Sequence, residues 1–341
     1  MAVRALWYER GILSIIDQRR LPARTAVRRL RTLEEVAEAI RTLAVRGAPS
    51  IGVAAAYGMV LGHREGRYRP DEAARRLRST RPTAVDLYVG SETVRRAWVA
   101  GADVEAAANA YRDEIVGECH RIGIAGAPLF LRTRRVLTHC NAGALATVEW
   151  GTALAPLRVA RERGARIFVW VDETRPLLQG ARLTAWELAR ERIPYAVIAD
   201  NAAGHYLATG QVDAVIVGAD RIARNGDFAN KIGTYEKAVV AHENGVPFYV
   251  AAPWSTFDRG RASGRSIPVE ERSEEEVLEF AGTRTAPASS RAKNPAFDVT
   301  PARFVTAFIT PSGVIAPRQL ARALRRRPPA EGSLARASQP R

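Results

Sequence analysis

Two apolar runs in this 341-residue chain end in groups that could move protons. "RVLTHCN" carries Cys140 just past its apolar stretch, and "DAVIVGAD" ends at Asp220. A thiol and a carboxyl facing one cavity suit general acid–base chemistry on a small substrate. The chain has only two cysteines, Cys119 and Cys140, which rules out a disulfide framework and a four-thiolate zinc site. Cys140 fits two readings: a small buried hydrophobe, the usual fate of a free cysteine, or a reactive thiol. Asn141-Ala142-Gly143 reads as the opening of a helix, whose amide dipoles would favour a thiolate at Cys140. Cys119, beside His120 on a helical stretch, reads as core. His139 and Cys140 are adjacent, so on a strand they would face opposite sides, and no second Cys/His pair follows at a zinc-like interval. No metal site is expected.

Anion handling is the second theme. The net charge is +15, almost all from arginine, and the only lysines are Lys231, Lys237 and Lys293. "RGAP" sets Arg46 beside the backbone of Gly47 and Ala48 at an expected helix start, so amides and a guanidinium could meet one phosphate. Arg81 precedes Pro82, which is expected to open another helix; each arginine could equally be a solvated surface charge. Asn230 and Lys231 lie about ten residues beyond Asp220. Gln179, on the loop after the second strand, could bond sugar hydroxyls or order its own loop. The arginines are scattered and no stripe alternates them with aromatics, so nucleic acid is not the expected partner.

The elements must bring these groups together. "LWYERGILSIIDQRRLP" reads as a hairpin turning at Glu9-Arg10-Gly11. Thr32 and Glu35 form a capping box before a helix running to Ala44, and Pro49 suits the first turn of the next helix. Helices continue to about Ile122, with "GIAGAPLF" as a linker. From Thr133 the pattern alternates: "RVLTH", "RIFVWVD", "YAVIAD", "DAVIVGAD" and "PFYVAAP" are short apolar runs separated by helix-length segments. Strands apolar on both faces, alternating with helices, imply a parallel sheet covered on both sides. The fold class is therefore α/β. A mostly helical N-terminal domain with a short antiparallel sheet spans 1–125, a Rossmann-like catalytic domain spans 126–324, and a basic tail at 325–341 is expected to be disordered. In such sheets ligands bind beyond the carboxyl ends of the strands. His139-Cys140-Asn141, Asp172-Glu173-Thr174-Arg175, Asp200-Asn201 and Gly218-Ala219-Asp220 all collect there.

Absent motifs narrow the chemistry. There is no G-x-G-x-x-G after a strand, no P-loop and no G-x-S-x-G elbow, which argues against hydride carriers, nucleotide hydrolysis and serine hydrolysis. No cofactor is expected. No apolar run approaches the roughly 18 residues of a membrane span, and the start lacks a secretory h-region. A cytoplasmic protein is the expectation.

"VRGAPSIGVAAAYGM", "RPTAV", "THCNAGALAT", "DETRPLLQGARLTAWEL" and "GADRIARNGDFANKIGTYEKAV" resemble the signature segments of the methylthioribose-1-phosphate isomerases. These share a superfamily with ribose-1,5-bisphosphate isomerases and the regulatory subunits of translation initiation factor 2B. The resemblance runs from about Val45 to Ile315 and keeps the segments in order. It implies isomerisation of 5-methylthioribose 1-phosphate to 5-methylthioribulose 1-phosphate in methionine salvage, by a homodimer. Cys140 and Asp220 would be its catalytic pair, with Arg46, Gly47, Ala48, Arg81, Gln179, Asn230 and Lys231 contacting the substrate. One departure stands out: the family follows R-P-T-A-V with Asn-Leu, whereas this chain has Asp86-Leu87, a carboxyl near the implied phosphate site.

Overall fold

The computed structural model describes residues 3–81 and 84–326. Most of the expected basic tail, residues 327–341, and the Pro82-Thr83 pair expected to open a helix lie outside the described residues.

The N-terminal half begins with a three-stranded antiparallel sheet of β1 (Leu6–Glu9), β2 (Ile12–Ile16) and β3 (Val27–Leu30). The β1–β2 turn falls at Arg10 and Gly11, both with positive φ (50° and 77°), the geometry that suits a two-residue hairpin. Five helices follow: α1 (Leu33–Arg41), α2 (Ala48–Glu65), α3 (Pro70–Arg78), α4 (Val85–Val99) and α5 (Val104–Gly126). The capping box at Thr32 and Glu35 forms as expected, but α1 stops at Arg41, short of Ala44. Small residues let α2 and α4 approach closely: a methyl added at Gly90 would sit 2.1 Å from the Gly52 carbonyl oxygen.

The segment expected to be a linker is not extended. Helix α5 runs 23 residues to Gly126 and passes straight into a 3-10 turn, Ala127–Phe130. Val104, Ala108, Tyr111 and Ile115 belong to the N-terminal core, whereas Ile122 packs into the core of the second half. At 1.5 Å per residue this is a rod of about 35 Å joining both cores.

The second half runs β4 (Arg135–Thr138), α6 (Ala144–Thr147), α7 (Leu154–Glu162), β5 (Phe168–Asp172), α8 (Ala185–Arg190), β6 (Tyr195–Ile198), α9 (Ala203–Ala208) and β7 (Ala214–Val217). It continues through β8 (Arg221–Ala223), β9 (Phe228–Lys231), α10 (Thr234–Glu243), β10 (Phe248–Ala251), β11 (Phe257–Asp258), α11 (Glu275–Leu278), β12 (Glu279–Phe280), β13 (Thr283–Arg284) and β14 (Phe297–Thr300). The last elements are β15 (Ala307–Thr310), β16 (Gly313–Ile315) and α12 (Leu320–Arg325). The five expected strands form five consecutive strands, out to the β6 edge, of a seven-stranded sheet in the order β16-β15-β10-β7-β4-β5-β6, parallel except for β16. Alternate residues go to opposite cores: Val136, Ala214 and Ile216 to one face, Leu137, Val215 and Val217 to the other. Sequence reading did not anticipate the small sheet β11-β8-β9-β14, which carries Asn230 and Lys231.

Strand order climbs from β4 through β5 to β6 on one side and from β7 through β10 to β15 on the other. The reversal lies between β4 and β7, which pair directly (Leu137↔Val215). Such a switch point opens a crevice beyond the strands' carboxyl ends, where Cys140 and Asp220 emerge. Closing the α2–α4 groove checks this packing. Gly90→Ala should lower stability by about 3 kcal/mol, read as a shifted urea midpoint, whereas a loss below about 0.5 kcal/mol would mean the helices part easily.

Candidate active site

Cys140 sits two residues beyond β4 with φ 63°, a left-handed conformation costly for a residue with a side chain. It is held at both ends: its N–H donates to Thr174 Oγ1 at 2.9 Å, and its carbonyl accepts from Thr184 Oγ1 at 2.7 Å. The strain and its double anchoring mark a constrained thiol rather than a core filler. Cys119, in contrast, is fully buried on α5 with its thiol pushed up to about 12 by burial, as its core reading requires.

The helix-dipole expectation for Cys140 is corrected. Helix α6 is a single turn, and its leading amides are taken: Ala144 N–H and Leu145 N–H donate to Glu187 at 2.7 and 3.1 Å. Burial raises the Cys140 thiol above its ordinary value; Arg46, Lys231 and the Asn141 amide offset part of this, and Asp220 adds to it. The resting group is therefore the thiol.

The Asp220 side chain is exposed at its surface, yet desolvation by the protein packed around it is the leading cause of its raised pKa. Lys231, Arg46, Arg81 and Arg221 pull the other way. Lys231 is buried on β9, donates to the Ala296 carbonyl at 2.6 Å and lies over the Phe297 ring. Burial lowers its pKa, while Cys140 and Asp220 raise it. Arg81 is likewise lowered by burial; Glu270, 3.8 Å away, and Asp220 oppose that shift. Cys140, Lys231 and Arg81 each feel both Asp220 and Arg46, so the five groups lie within electrostatic reach of one region.

The remaining expected residues fall around them. Gly47 (φ 87°) caps α2, which starts at Ala48; a side chain there would strike the Ala146 backbone at 2.5 Å. Arg46 donates to Asn141 Oδ1 at 2.6 Å and to the Asn141 carbonyl at 3.0 Å. Asn230 donates to Thr234 Oγ1 at 2.9 Å. Gln179 is buried just before the turn at Gly180, with its Oε1 free of any hydrogen bond among the described residues.

Sequence reading placed His139, Asp172 and Asp200 at the strand ends and noted Lys237, but gave none of them a role in the site. His139 pairs with Asp172 through Nδ1 (3.0 Å) and donates to the Ile232 carbonyl through Nε2 (2.8 Å), tying the Cys140 strand to the turn after Lys231. Lys237, fully buried, stands 3.5 Å from Asp172 and bonds Glu236 at 2.5 Å. Its rarity among arginines was the available signal. His139, Asp172 and Asp200 bring ligand-type atoms within 4.8 Å of one another, but Asp200 accepts the Thr174 and Arg175 amides and Asp172 faces His139 and Lys237. This is a hydrogen-bonded brace. A hollow of about 1000 Å³ lined by Arg132, Arg134, Arg135, Arg161 and Arg166 lies at the opposite, amino edge of β4 and β5.

Comparison with known proteins matches this architecture. The model of the Initiation factor 2 subunit family covers residues 44–317. A methylthioribose-1-phosphate isomerase from Roseiflexus castenholzii (strain DSM 13941 / HLO8) is 52% identical over 337 residues, spanning 93% of this chain and 95% of that protein. This chain belongs to the methylthioribose-1-phosphate isomerase family. The 5-methylthioribose 1-phosphate isomerase of Pyrococcus horikoshii OT3 superposes with a TM-score of 0.88 at 43% identity, covering 95% of each chain. A structure described as translation initiation factor eIF-2B, subunit delta, from A. fulgidus superposes at 0.84 with 44% identity, covering 93% of this chain and 97% of that one. Among the described residues no helix is long and apolar enough to cross a membrane.

Within the isomerase fold Asp86 proves to be a buried acid in the first turn of α4, coupled electrostatically to Asp220 and Tyr111. Burial pushes its pKa up to about 6, with Ser255 offsetting part of the shift. The folded value exceeds the ordinary 3.8, so this group's contribution to stability is complete below about pH 4 and is lost as pH rises through about 6. Asp86→Asn should therefore stabilise the protein by roughly 1–3 kcal/mol at pH 8 and by nothing at pH 4, measured by urea unfolding at both pH values. An equal effect at both would contradict a buried Asp86 with a raised pKa.

Proposed function

We propose that this chain converts 5-methylthioribose 1-phosphate to 5-methylthioribulose 1-phosphate, serving methionine salvage, with Cys140 and Asp220 as its catalytic pair. The observation carrying this reading is the electrostatic influence of Arg46, Arg81 and Lys231 on Cys140 and Asp220, which follow β4 and β7 at the switch point. Arg46 with the Gly47 and Ala48 backbone, and Arg81, grip the phosphate. Asn230, Lys231 and Gln179 hold the sugar, and the unbonded Gln179 Oε1 offers an acceptor to a hydroxyl. The chain acts as a cytoplasmic homodimer.

The substrate's anomeric oxygen carries phosphate, so simple mutarotation cannot open the ring to a free aldehyde. Asp220, whose carboxyl is pushed above its ordinary value, serves as the acid that delivers a proton to the ring oxygen as the C1–O bond breaks. Hydrogen then moves from C2 to C1, and the C2 hydroxyl proton returns to Asp220 as the ketone forms. That cycle closes with one acid and no external reductant. Because Cys140 rests as a thiol rather than a base, hydrogen crosses as hydride within the substrate, with the thiol packed against the reacting carbons. In deuterated water the product's C1 should carry no solvent deuterium; incorporation there would show a proton route through an enediol.

The likeness to the eIF-2B subunit structure favours one rival, a regulatory subunit that binds a sugar phosphate without turning it over. A sibling isomerase acting on ribose 1,5-bisphosphate or 5-deoxyribose 1-phosphate is the other. Ketose formation from a panel of the three sugar 1-phosphates separates them. The methylthio sugar should give the highest kcat/KM, and Cys140→Ser and Asp220→Asn should each lose at least about 100-fold in kcat. No turnover of any sugar by the wild type ends the enzyme reading.

A further inference from the structure

We infer that Glu187, a carboxylate on α8 that never faces the pocket, is a positioning residue that aims Arg46 by dictating which way the Asn141 amide points. The inference rests on the reading of Arg46 as a phosphate ligand. Glu187 is completely buried and acts only as an acceptor. Its Oε2 takes the Ala144 N–H and Arg158 Nη2 (both 2.7 Å); its Oε1 takes the Leu145 N–H (3.1 Å) and Asn141 Nδ2 (2.8 Å). The Asn141 amide nitrogen has one other partner, Thr184 Oγ1, at 3.2 Å. That hydroxyl has spent its only proton on the Cys140 carbonyl, so toward Asn141 it too can only accept. Both neighbours on this side are acceptors, which forces the NH2 group toward them and leaves Oδ1 on the far side.

Oδ1 is the atom that receives Arg46 Nη1, while the Asn141 carbonyl receives Nη2. A flipped amide would set an NH2 group against the guanidinium and break the grip. With Oδ1 fixed, the planar fork has one settled orientation, and its remaining N–H groups stay free for an anion. Gly143 belongs to the same device: a methyl there would lie 2.3 Å from Glu187 Oε2, so only glycine lets the loop close on the carboxylate. Arg158, clamped by Glu191 at 2.8 Å and by the Trp150 carbonyl, supplies the countercharge that lets Glu187 stay buried.

Glu187→Gln keeps the shape but introduces an NH2 group that releases the constraint. Inorganic phosphate is titrated by calorimetry into wild type, Arg46→Ala, Glu187→Gln and the double variant. Expected is about a tenfold weaker Kd for each single variant, and less than about a twofold further change when Glu187→Gln is added to Arg46→Ala. With 5-methylthioribose 1-phosphate the Glu187→Gln KM should rise about tenfold while kcat stays within about threefold, a split that general destabilisation does not produce. An equal Kd loss in both backgrounds, or none in either, overturns the inference. If Glu187→Gln does not fold, Thr184→Val removes the second acceptor and should weaken phosphate binding about threefold in the wild-type background alone; no loss there is equally fatal. An Arg46→Ala protein that binds phosphate as well as wild type would remove the clamp reading itself.

Discussion

The pairing of β4 with β7 is the constraint from which the site follows. These strands are neighbours in space but far apart in sequence, and the chain on either side of the pair progresses in opposite directions. No covering helix can lie over their carboxyl ends, so two loops, one ending β4 and one ending β7, face a shared gap. Into that gap the chain sends a thiol and an acid, and the N-terminal half supplies two arginines. Burial leads the list of influences on Cys140, Asp220, Lys231 and Arg81 alike, and the opposing charges recover only part of it. The pocket is therefore poised: each group's protonation depends on what its neighbours carry, and a bound phosphate changes all of them together.

The broad architecture was legible because it is written in period and punctuation. Strands buried on both faces give unbroken apolar runs such as "AVIV", and the capping box at Thr32 and Glu35 announces itself locally. The candidate residues were legible for another reason, that loops at strand ends must carry the chemistry. What escaped is non-local. Nothing in "GIAGAPLF" reveals that α5 runs on to Gly126 inside it, because its glycines are there to fit Val159 and Pro156 of α7. The dipole argument for a thiolate failed since a carboxylate 43 residues downstream of Ala144 claims the amides first. The small sheet beneath Lys231 was missed because its strands are two to four residues long.

Lysine placement shows how composition can inform when motif does not. In an arginine-rich chain Lys231 and Lys237 are both buried, one over an aromatic ring and one between two carboxylates. A compact ammonium on a flexible stem fits such tight pockets, where a planar five-donor guanidinium would leave N–H groups unmet. Lys237 does not reach the reacting groups, but its neighbour Asp172 steadies His139, which in turn ties the strand of Cys140 to the segment of Lys231. Cys140 and Lys231 are thus fastened to each other through a hydrogen-bonded bracket at their backs.

Helix α5 carries a mechanical implication. It is unbroken for 23 residues, and each end is embedded in a different core. A stiff beam built into both halves resists the clam-shell rotation by which many two-part proteins swallow their ligands. Arginines and thiol are instead held at a set separation, as in a mould. Traffic in and out of the pocket then falls to the short loops at its rim, and selectivity becomes a matter of fit to a rigid shape more than of closure around a guest.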